Sequence, residues 1–205
     1  MKTSILFFIS FFLFISTSKV QADKSLPIKV VSQSKSIKNL CAPAAAEMIT
    51  SFYDRNDLDQ YVIAKGVCSM VAGYKKRYPK TNPIPCRWPD YKETYQPILA
   101  NFLSKEGFRV KTTRSSYDKS SGNVSKKRQS ELLDPINKGI PTIIHVERHY
   151  LLVVGYDKLS KELLINDPAG GKQLRVKFSF FINRYNPWYK GRKGWDGRYL
   201  SVWKN

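Results

Sequence analysis

The chain has 205 residues, of which 42% are hydrophobic, and a formal net charge of +19 at pH 7. This length allows one compact domain with a sizeable core, but rarely two independent domains. The lysines and arginines are spread along the chain without a nucleic-acid-binding motif, so we expect a cationic surface that favours anionic surfaces and no specific nucleic-acid partner.

The N-terminal segment has the pattern of a signal peptide. Lys2 precedes an apolar run, residues 5–15, that is too short to cross a bilayer, since a spanning helix needs roughly 20 residues. Val20 and Ala22 suit signal-peptidase cleavage, so we expect a signal peptide at residues 1–22 and a mature chain beginning at Asp23. Its removal would lower the net charge from +19 to +17. We therefore predict a secreted or periplasmic protein that is not an integral membrane protein.

The first half of the mature chain is predicted to be mainly helical. Residues 26–31 are predicted to form a short strand or an extended lead-in. A buried helix is predicted from Ala42, because apolar residues then recur with helical spacing: Ala45, Met48, Ile49, Phe52 and Tyr53. Further helices are predicted at 58–67 and at 91–106, where Gly107 is the stop signal.

The second half is predicted to form an antiparallel sheet. A strand at 108–112 is followed by a loop rich in Ser, Lys and Gly, residues 115–129, which we expect to separate two lobes, and by a short helix at 130–138. Turn residues then separate five apolar or alternating runs that predict strands: 141–146, 150–156, 163–166, 173–177 and 199–203. Residues 178–185 are predicted to form a last helix and 186–197 an aromatic and basic loop.

The chain contains three cysteines, an odd number that leaves at least one thiol unpaired in a monomeric exported protein. Cys68 and Cys86 flank a stretch rich in Lys, Tyr and Pro, residues 73–85, of the kind that a disulfide restrains in an oxidising compartment. Three pairings remain compatible with the count. Context favours a Cys68–Cys86 disulfide, which leaves Cys41 free.

Cys41 stands directly before the first predicted helix, whose N-terminal amides and dipole favour a thiolate. A free cysteine is also among the most frequently buried residues, so its position alone does not indicate catalysis. A nucleophilic thiol needs a base, and the chain has only two histidines, His145 and His149. His149 opens a predicted strand, from which its side chain can project into a cleft.

An acidic residue follows the next predicted strand, eighteen residues after His149. If the two strands are antiparallel neighbours joined by a hairpin at 158–161, His149 and Asp167 lie at the same end of the sheet. Asp167 can then orient the imidazole through a hydrogen bond. Asn166 is the alternative, but alternation along the strand directs it to the other face.

Three parts of the chain carry a resemblance to a known family. They are Gln33, the Cys-Ala-Pro-Ala sequence at 41–44 with Met48 behind it, and the segment 149–168. Their residue types and order resemble the C39-like branch of papain-like cysteine peptidases over nearly all of the mature chain. We expect no metal and no cofactor, because the sequence has neither a Cys and His cluster with metal-ligand spacing nor a phosphate-binding glycine loop.

The resemblance also assigns a role to each candidate residue. It implies that Cys41 attacks a carbonyl, that His149 acts as base and then as acid, and that Asp167 orients His149. It implies an oxyanion hole made by the Gln33 side chain and the Cys41 backbone amide, with Asn39 as the alternative donor. The expected activity is hydrolysis of a peptide or isopeptide bond in a protein or peptide substrate, through a thioester.

The fold implied by the resemblance is α+β and papain-like, in a single domain at 23–205. A helical lobe, about 23–107, packs on an antiparallel sheet lobe, about 108–205, with the site in the cleft between them. Two residues depart from the family pattern, since Ala42 and Arg148 stand where glycine is common. Either one could narrow the cleft or alter access to it.

Two other functions fit the same residues. One is a transglutaminase-like acyltransferase, which uses the same order of Cys, His and Asp with an amine as acceptor. The other is a cationic binding protein that kept the fold and lost turnover. We further expect a monomer, and glycosylation of Asn123 only in a host with that machinery. His145 has the same strand parity as His149 and could line the cleft, but we expect a structural histidine. The tryptophans could form substrate subsites, but we expect most of them in the core or between the lobes.

Overall fold

The computed structural model describes residues 24–77, 86, 91, 94–113, 124–182 and 195–204. The helices in this part of the chain are α1 (Cys41–Phe52), α2 (Gln60–Arg77), α3 (Gln96–Lys105), α4 (Lys126–Asn137) and α5 (Phe178–Ile182). The strands are β1 (Lys24–Ser25), β2 (Arg109–Thr112), β3 (Thr142–Val146), β4 (His149–Asp157), β5 (Glu162–Asp167), β6 (Lys172–Lys177) and β7 (Tyr199–Trp203).

Several predictions fall outside the described residues. They concern the signal peptide at 1–22, the glycosylation site at Asn123, Trp88 and Trp188, and most of the loops at 115–129 and 186–197. Within the part of the chain that is described, no helix is both long enough and apolar enough to cross a membrane.

The strands form one antiparallel sheet in the order β2-β7-β3-β4-β5-β6, which confirms the predicted sheet. The short β1 pairs with the far end of β4, where Lys24 lies opposite Tyr156. Residues 26–31 continue from β1 as an extended lead-in and not as a strand, although the Leu26 amide still donates to the Val154 carbonyl at 2.8 Å. The N-terminal segment thereby runs along the sheet toward the start of α1.

Both faces of the sheet are covered. On one face Leu152 and Val154 pack with α1, α2 and α3, and on the other Leu151 and Val153 pack with α4 and α5. All of residues 149–155 are therefore buried. Burial on both faces explains why the sequence of β4 is a continuous apolar run and does not alternate. The helices α4 and α5 belong to the predicted sheet half of the chain, so that half is not made of strands alone.

The helix boundaries differ from the predictions where the apolar spacing is weak. The second helix continues to Arg77, ten residues beyond the predicted end, and its last turn is basic, which suits the negative end of a helix dipole. The fourth begins at Lys126, inside the predicted loop, because the Ser125 hydroxyl caps it by accepting from the Arg128 amide at 3.3 Å. The third begins only at Gln96, five residues after the predicted start.

The Cys68–Cys86 disulfide is present and ties α2 to the segment that precedes α3. Cys41 is the free cysteine, and it is buried. The context around the cysteines therefore predicted the pairing that the structure has. The thiol left free is the one at the start of α1.

Candidate active site

The first helix presents Cys41 as its first residue. Leu40, fully buried, stands at the N-cap position without a side-chain cap, and the first helical hydrogen bond runs from the Ala44 amide to the Leu40 carbonyl at 2.8 Å. The amides before Ala44 therefore lie at the open, positive end of the helix, and Pro43 has no amide hydrogen to contribute. A thiolate is favoured at such a helix end. Cys41 itself is 8% exposed, so its thiol is near the surface but mostly enclosed.

The hairpin of β4 and β5 brings His149 and Asp167 together. Leu152 lies opposite Asn166, so the start of β4 and the end of β5 meet at one end of the sheet, as predicted. Nε2 of His149 lies 2.7 Å from Oδ1 of Asp167, and both residues are buried. The same Oδ1 accepts the Ala169 amide at 2.8 Å, which holds the carboxylate in place.

The other side of the His149 ring meets the thiol. The Cys41 side chain hydrogen-bonds the imidazole, and since Nε2 is taken by Asp167, Nδ1 is the ring nitrogen left for the sulfur. Burial by itself would lower the pKa of His149, but the hydrogen bonds to Asp167 and Cys41 outweigh it and raise the pKa to about 9. The structure thus brings the three predicted triad residues into one hydrogen-bonded line.

The carboxylate at the end of that line is ionised. Burial would raise the pKa of Asp167, but the hydrogen bond from His149, the charge of His149 and the Ala169 amide together hold the pKa below its usual value. A charged Asp167 accepts a hydrogen bond from Nε2–H and stabilises a positive imidazole. The buried His149 imidazole can therefore accept a proton from the Cys41 thiol and retain it.

Asn166, the alternative orienter, has other partners. Its side-chain amide donates to the Ile28 carbonyl at 3.0 Å, and its oxygen accepts from Gln173 at 2.9 Å. It is fully buried and fastens the N-terminal lead-in to the sheet. The two neighbours on β5 therefore have different roles, since Asp167 contacts His149 and Asn166 contacts the N-terminal lead-in.

The two candidate oxyanion donors have different surroundings. The Gln33 amide donates to the Pro168 carbonyl at 2.8 Å, which holds its backbone beside Asp167, and its side-chain Oε1 is buried with no hydrogen-bond partner among the described residues. Asn39 is exposed, with a φ of 65°, and lines a cavity together with Cys41. A left-handed residue two positions before the helix turns the chain into α1, and asparagine tolerates that conformation better than most residues do.

The thiol opens onto a cavity of about 350 Å³. Among the described residues, its lining consists of Asn39, Cys41, Thr94, His145, Arg148, Tyr150 and Arg198. Tyr150 joins the two halves of the chain there, since its hydroxyl donates to the Thr94 carbonyl at 3.1 Å. Gln33 and His149 are not in this lining, so of the three triad residues only Cys41 borders the cavity, with Asp167 also outside its described lining.

The wall of the cavity contains a second His–Asp contact that the sequence did not predict. Nδ1 of His145 lies 2.8 Å from Oδ2 of Asp196, and Nε of Arg198 donates to the same carboxylate oxygen at 2.6 Å. Burial would raise the pKa of Asp196, but its hydrogen bonds with His145 and Arg198 hold the pKa below its usual value. His145 is thus well bonded, as expected of a structural histidine, and also lines the cavity.

One expectation about His145 was wrong. Its strand parity along the sequence matches that of His149, but the hairpin pairs His145 with Tyr150 and Val146 with His149. A turn of two residues, 147–148, therefore places His145 on the face of Tyr150, and the two rings lie 4.8 Å apart between centroids. Parity applies within one strand and is reset by each turn.

The two departures from the family pattern have different consequences. Ala42 is fully buried and packs in the core behind α1, so it does not narrow the cavity. Arg148 is exposed in the hairpin turn with a φ of 59°, a left-handed conformation that glycine adopts most easily. The arginine keeps the turn that glycine would make and adds a long cationic side chain to the cavity wall.

Comparison with known proteins gives one family and several solved folds. The Peptidase_C39 like family matches residues 25–192. The chain is similar to the peptidase domain of Streptococcus ComA, a bi-functional ABC transporter involved in a quorum sensing pathway, with 18% identity, 87% of this chain and 99% of that chain covered, and a TM-score of 0.54. It is also similar to a double glycine motif protease from an AMS/PCAT transporter, solved with its leader peptide, with 16% identity, 88% and 94% coverage and a TM-score of 0.53.

At these identities the likeness to solved structures concerns the fold, and it confirms the predicted α+β, papain-like architecture. Comparison with curated protein sequences finds no match to the chain.

Proposed function

Since the chain belongs to the Peptidase_C39 like family, we propose that it is an exported cysteine peptidase that hydrolyses peptide or isopeptide bonds. Cys41 is the nucleophile, His149 the general base and acid, and Asp167 the residue that orients and stabilises the imidazole. The observation that carries the proposal is the hydrogen-bonded line from the Cys41 thiol through both nitrogens of His149 to Asp167. A cysteine that only fills space in the core does not require a buried, charged pair such as His149 and Asp167 beside its thiol.

The first half of the reaction forms a thioester. Nδ1 of His149 takes the proton of the Cys41 thiol, and the sulfur attacks the substrate carbonyl to give a tetrahedral oxyanion. When the oxyanion collapses, the C–N bond breaks and His149 gives its proton to the leaving amine. The raised pKa of His149 supports this step, because the imidazole holds its proton at neutral pH until the leaving group takes it.

The second half returns the free enzyme. His149, now neutral, takes a proton from a water molecule as that water attacks the thioester carbonyl, and the second tetrahedral species expels the Cys41 sulfur. The products are a carboxylic acid and the regenerated thiol and imidazole. The buried Asp167 contact keeps the ring in one orientation through both halves, so no step requires the ring to flip.

The oxyanion in both halves needs hydrogen-bond donors. We assign the backbone amide of Cys41, at the open end of α1, and the side chain of Gln33. Support for Gln33 comes from its backbone contact with Pro168, directly after Asp167, while Asn39 on the cavity wall is the competing donor. The variants Gln33→Ala and Asn39→Ala discriminate between them, because removing the true donor lowers kcat by roughly 100-fold or more.

Export is part of the proposal. The Cys68–Cys86 disulfide fits an oxidising compartment, and a signal peptide at 1–22 would deliver the chain there. N-terminal sequencing of protein recovered from the periplasm or medium is expected to begin at Asp23. Protein that stays with the cells and begins at Met1 contradicts export.

The activity is tested by digestion of a complex peptide mixture in oxygen-18 water. The wild type is expected to create new termini that Cys41→Ala does not, each new carboxyl terminus carrying one heavy oxygen. New amide links to an added amine, without heavy oxygen, would instead identify an acyltransferase. If the wild type and Cys41→Ala leave the mixture equally intact while both bind peptides, the protein is a binding protein with the same fold.

A further inference from the structure

The cavity beside Cys41 has a cationic wall. Arg148 and Arg198 are the charged side chains other than histidine among its described lining residues, and no Asp or Glu is among them. Arg198 already bonds Asp196 through Nε at 2.6 Å, so much of its charge is compensated at once. Arg148 is exposed, and no described side chain forms an ion pair with it. Among the described lining residues, the charge left uncompensated is therefore that of Arg148.

The turn fixes where that charge is. Arg148 and Glu147 alone join β3 to β4, and His149 follows Arg148 directly, with Val146 paired to His149 across the turn. A hairpin loop of two residues has little freedom, so the backbone holds Arg148 next to the base of the reaction. Glu147, the acidic residue of the same turn, is not in the described lining of the cavity. The cavity thus meets the arginine of this turn and not its acid.

From this placement we propose that the cavity binds a substrate carboxylate close to the scissile bond, with Arg148 as the residue that binds it. The inference rests on the proposed function, which supplies the reacting thiol, and it adds the class of substrate: a peptide with an acidic group beside the cleaved bond. Guanidinium groups bind carboxylates through paired hydrogen bonds, and a partly enclosed wall strengthens the attraction compared with open water.

The test uses two alkylating reagents that differ only in charge. Iodoacetate and iodoacetamide react in the same way: the Cys41 thiolate attacks the methylene carbon, a C–S bond forms and iodide leaves. Iodoacetate carries a carboxylate beside that carbon, as the proposed substrate does, and iodoacetamide carries none. The ratio of their rate constants at Cys41 therefore measures the preference of the cavity for a carboxylate.

Arg148→Gly is the informative variant, because glycine suits a φ of 59° and keeps the turn. Lys161→Gly is its matched control: Lys161 is also exposed, with a φ of 56°, and lies in the hairpin at the far end of β4. Both variants lose one positive charge and gain one glycine at a left-handed position. Any difference between them reflects the location of the charge and not the net charge.

The ratio of iodoacetate to iodoacetamide rate constants is expected to fall about threefold in Arg148→Gly, within the range for one partly exposed charge pair, and to stay unchanged in Lys161→Gly. Raising the salt concentration should reduce the wild-type ratio toward that of Arg148→Gly. The positive His149 also attracts iodoacetate and contributes to the ratio, but this contribution is the same in all three proteins.

An unchanged ratio of the two rate constants in Arg148→Gly, or an equal fall in Lys161→Gly, overturns the inference about the carboxylate. If iodoacetamide still labels Cys41 rapidly, the proposed function is not affected by that result. Slow labelling by both reagents in every protein overturns both. Folding is checked by the thermal midpoint of each variant. Arg148→Lys keeps the charge and should retain most of the wild-type ratio. This variant separates the loss of charge from any change in the turn.

Peptides then distinguish the two sources of a carboxylate. A cleaved sequence is made with Glu or Gln next to the scissile bond, each with an amidated C-terminus, and the Gln peptide is also made with a free C-terminus at the shortest cleavable length. If the bound carboxylate belongs to a side chain, Arg148→Gly is expected to lower kcat/KM about threefold for the Glu peptide. If it is the C-terminal carboxylate, the same loss is expected for the Gln peptide with a free C-terminus. Equal kcat/KM losses for all three peptides contradict carboxylate binding.

Discussion

The two histidines of the chain make the same kind of contact in two different settings. His149 meets Asp167 through Nε2 at 2.7 Å, and His145 meets Asp196 through Nδ1 at 2.8 Å. The third partner differs. His149 presents its other nitrogen to the Cys41 thiol, whereas Nη2 of Arg198 lies 2.7 Å from the same Nδ1 of His145 that meets Asp196.

This difference teaches that a His–Asp contact does not by itself identify a base. At His149 the third group is the Cys41 thiol, which can lose a proton. The imidazole can accept that proton, and the Asp167 carboxylate stabilises the positive ring that results. At Asp196 the carboxylate is shared with the Arg198 guanidinium, which can only donate hydrogen bonds. The first arrangement supports chemistry, and the second links the segment that precedes β7 to His145 in β3.

The largest expected effect separates the two histidines directly. His149→Ala removes the base and should lower kcat/KM at least 1,000-fold, within the range for loss of general acid–base catalysis. His145→Ala removes a wall contact and should lower kcat/KM by less than about tenfold. Rates with the same peptide, after equal thermal midpoints have been verified, measure both. Comparable losses in the two variants would end the distinction between the pairs.

The next effect compares the two carboxylates. Asp167→Asn removes the charge that stabilises a positive His149 and should lower kcat roughly 10- to 100-fold with little change in KM. Asp196→Asn leaves Arg198 without its carboxylate and should lower the free energy of unfolding by about 1–3 kcal/mol, with kcat nearly unchanged. Steady-state kinetics and urea unfolding measure the two effects. A loss of kcat in Asp196→Asn together with a loss of stability alone in Asp167→Asn would instead give Asp196 the catalytic role and Asp167 the structural one.

The stability of the protein should depend on pH through His149. Its pKa is raised from 6.5 in the unfolded chain to about 9 in the folded protein, so the folded state binds the proton more tightly. The stabilisation is full below pH 6.5 and is lost as the pH rises through 9. Each pKa unit corresponds to about 1.4 kcal/mol, which gives a loss of roughly 3 kcal/mol over this range.

Urea unfolding at several pH values between 6 and 10 measures this loss. His149→Gln should flatten the dependence, whereas His145→Gln should leave most of it in place. A wild-type free energy of unfolding that rises with pH over this range would contradict the raised pKa of His149.

The smallest effect concerns the turn between the two histidines. Arg148 has a φ of 59°, which is strained for a residue with a Cβ, and glycine relieves that strain. Arg148→Gly should therefore raise the free energy of unfolding by about 0.5–1 kcal/mol, after the entropy that glycine gains in the unfolded chain is deducted. Calorimetry measures the change. Destabilisation instead would mean that Arg148 makes stabilising contacts in the wall.

The local order of residues was enough to predict one of the two pairs. His149 and Asp167 stand at the two ends of strands joined by a short hairpin, and a hairpin brings such positions together whatever surrounds it. The same holds for Cys41 at the start of a helix with clear apolar spacing, and for the Cys68–Cys86 disulfide across a stretch without it. Short-range patterns therefore predicted the sheet, the first helix and the proximity of the triad residues.

The other pair depends on contacts that local patterns do not encode. Asp196 lies near the end of the predicted loop at 186–197 and Arg198 directly after that loop. Both reach His145 only because β7 pairs with β3 across more than fifty intervening residues. The position of His145 also required the register of the hairpin, which strand parity alone gave incorrectly. The contribution of Asp196 and Arg198 to the cavity wall is set by this tertiary pairing, and so the sequence did not predict it.

Alkylation of Cys41 by iodoacetamide near pH 6, with adducts mapped by peptide mass in unreduced protein, tests the central claim most directly. We predict rapid labelling in the wild type, slow labelling in His149→Ala and near wild-type labelling in His145→Ala, with Cys68 and Cys86 recovered as a linked pair. Slow labelling of the wild type, or an equal decrease in both histidine variants, would contradict an activated thiolate at Cys41 and favour a binding protein.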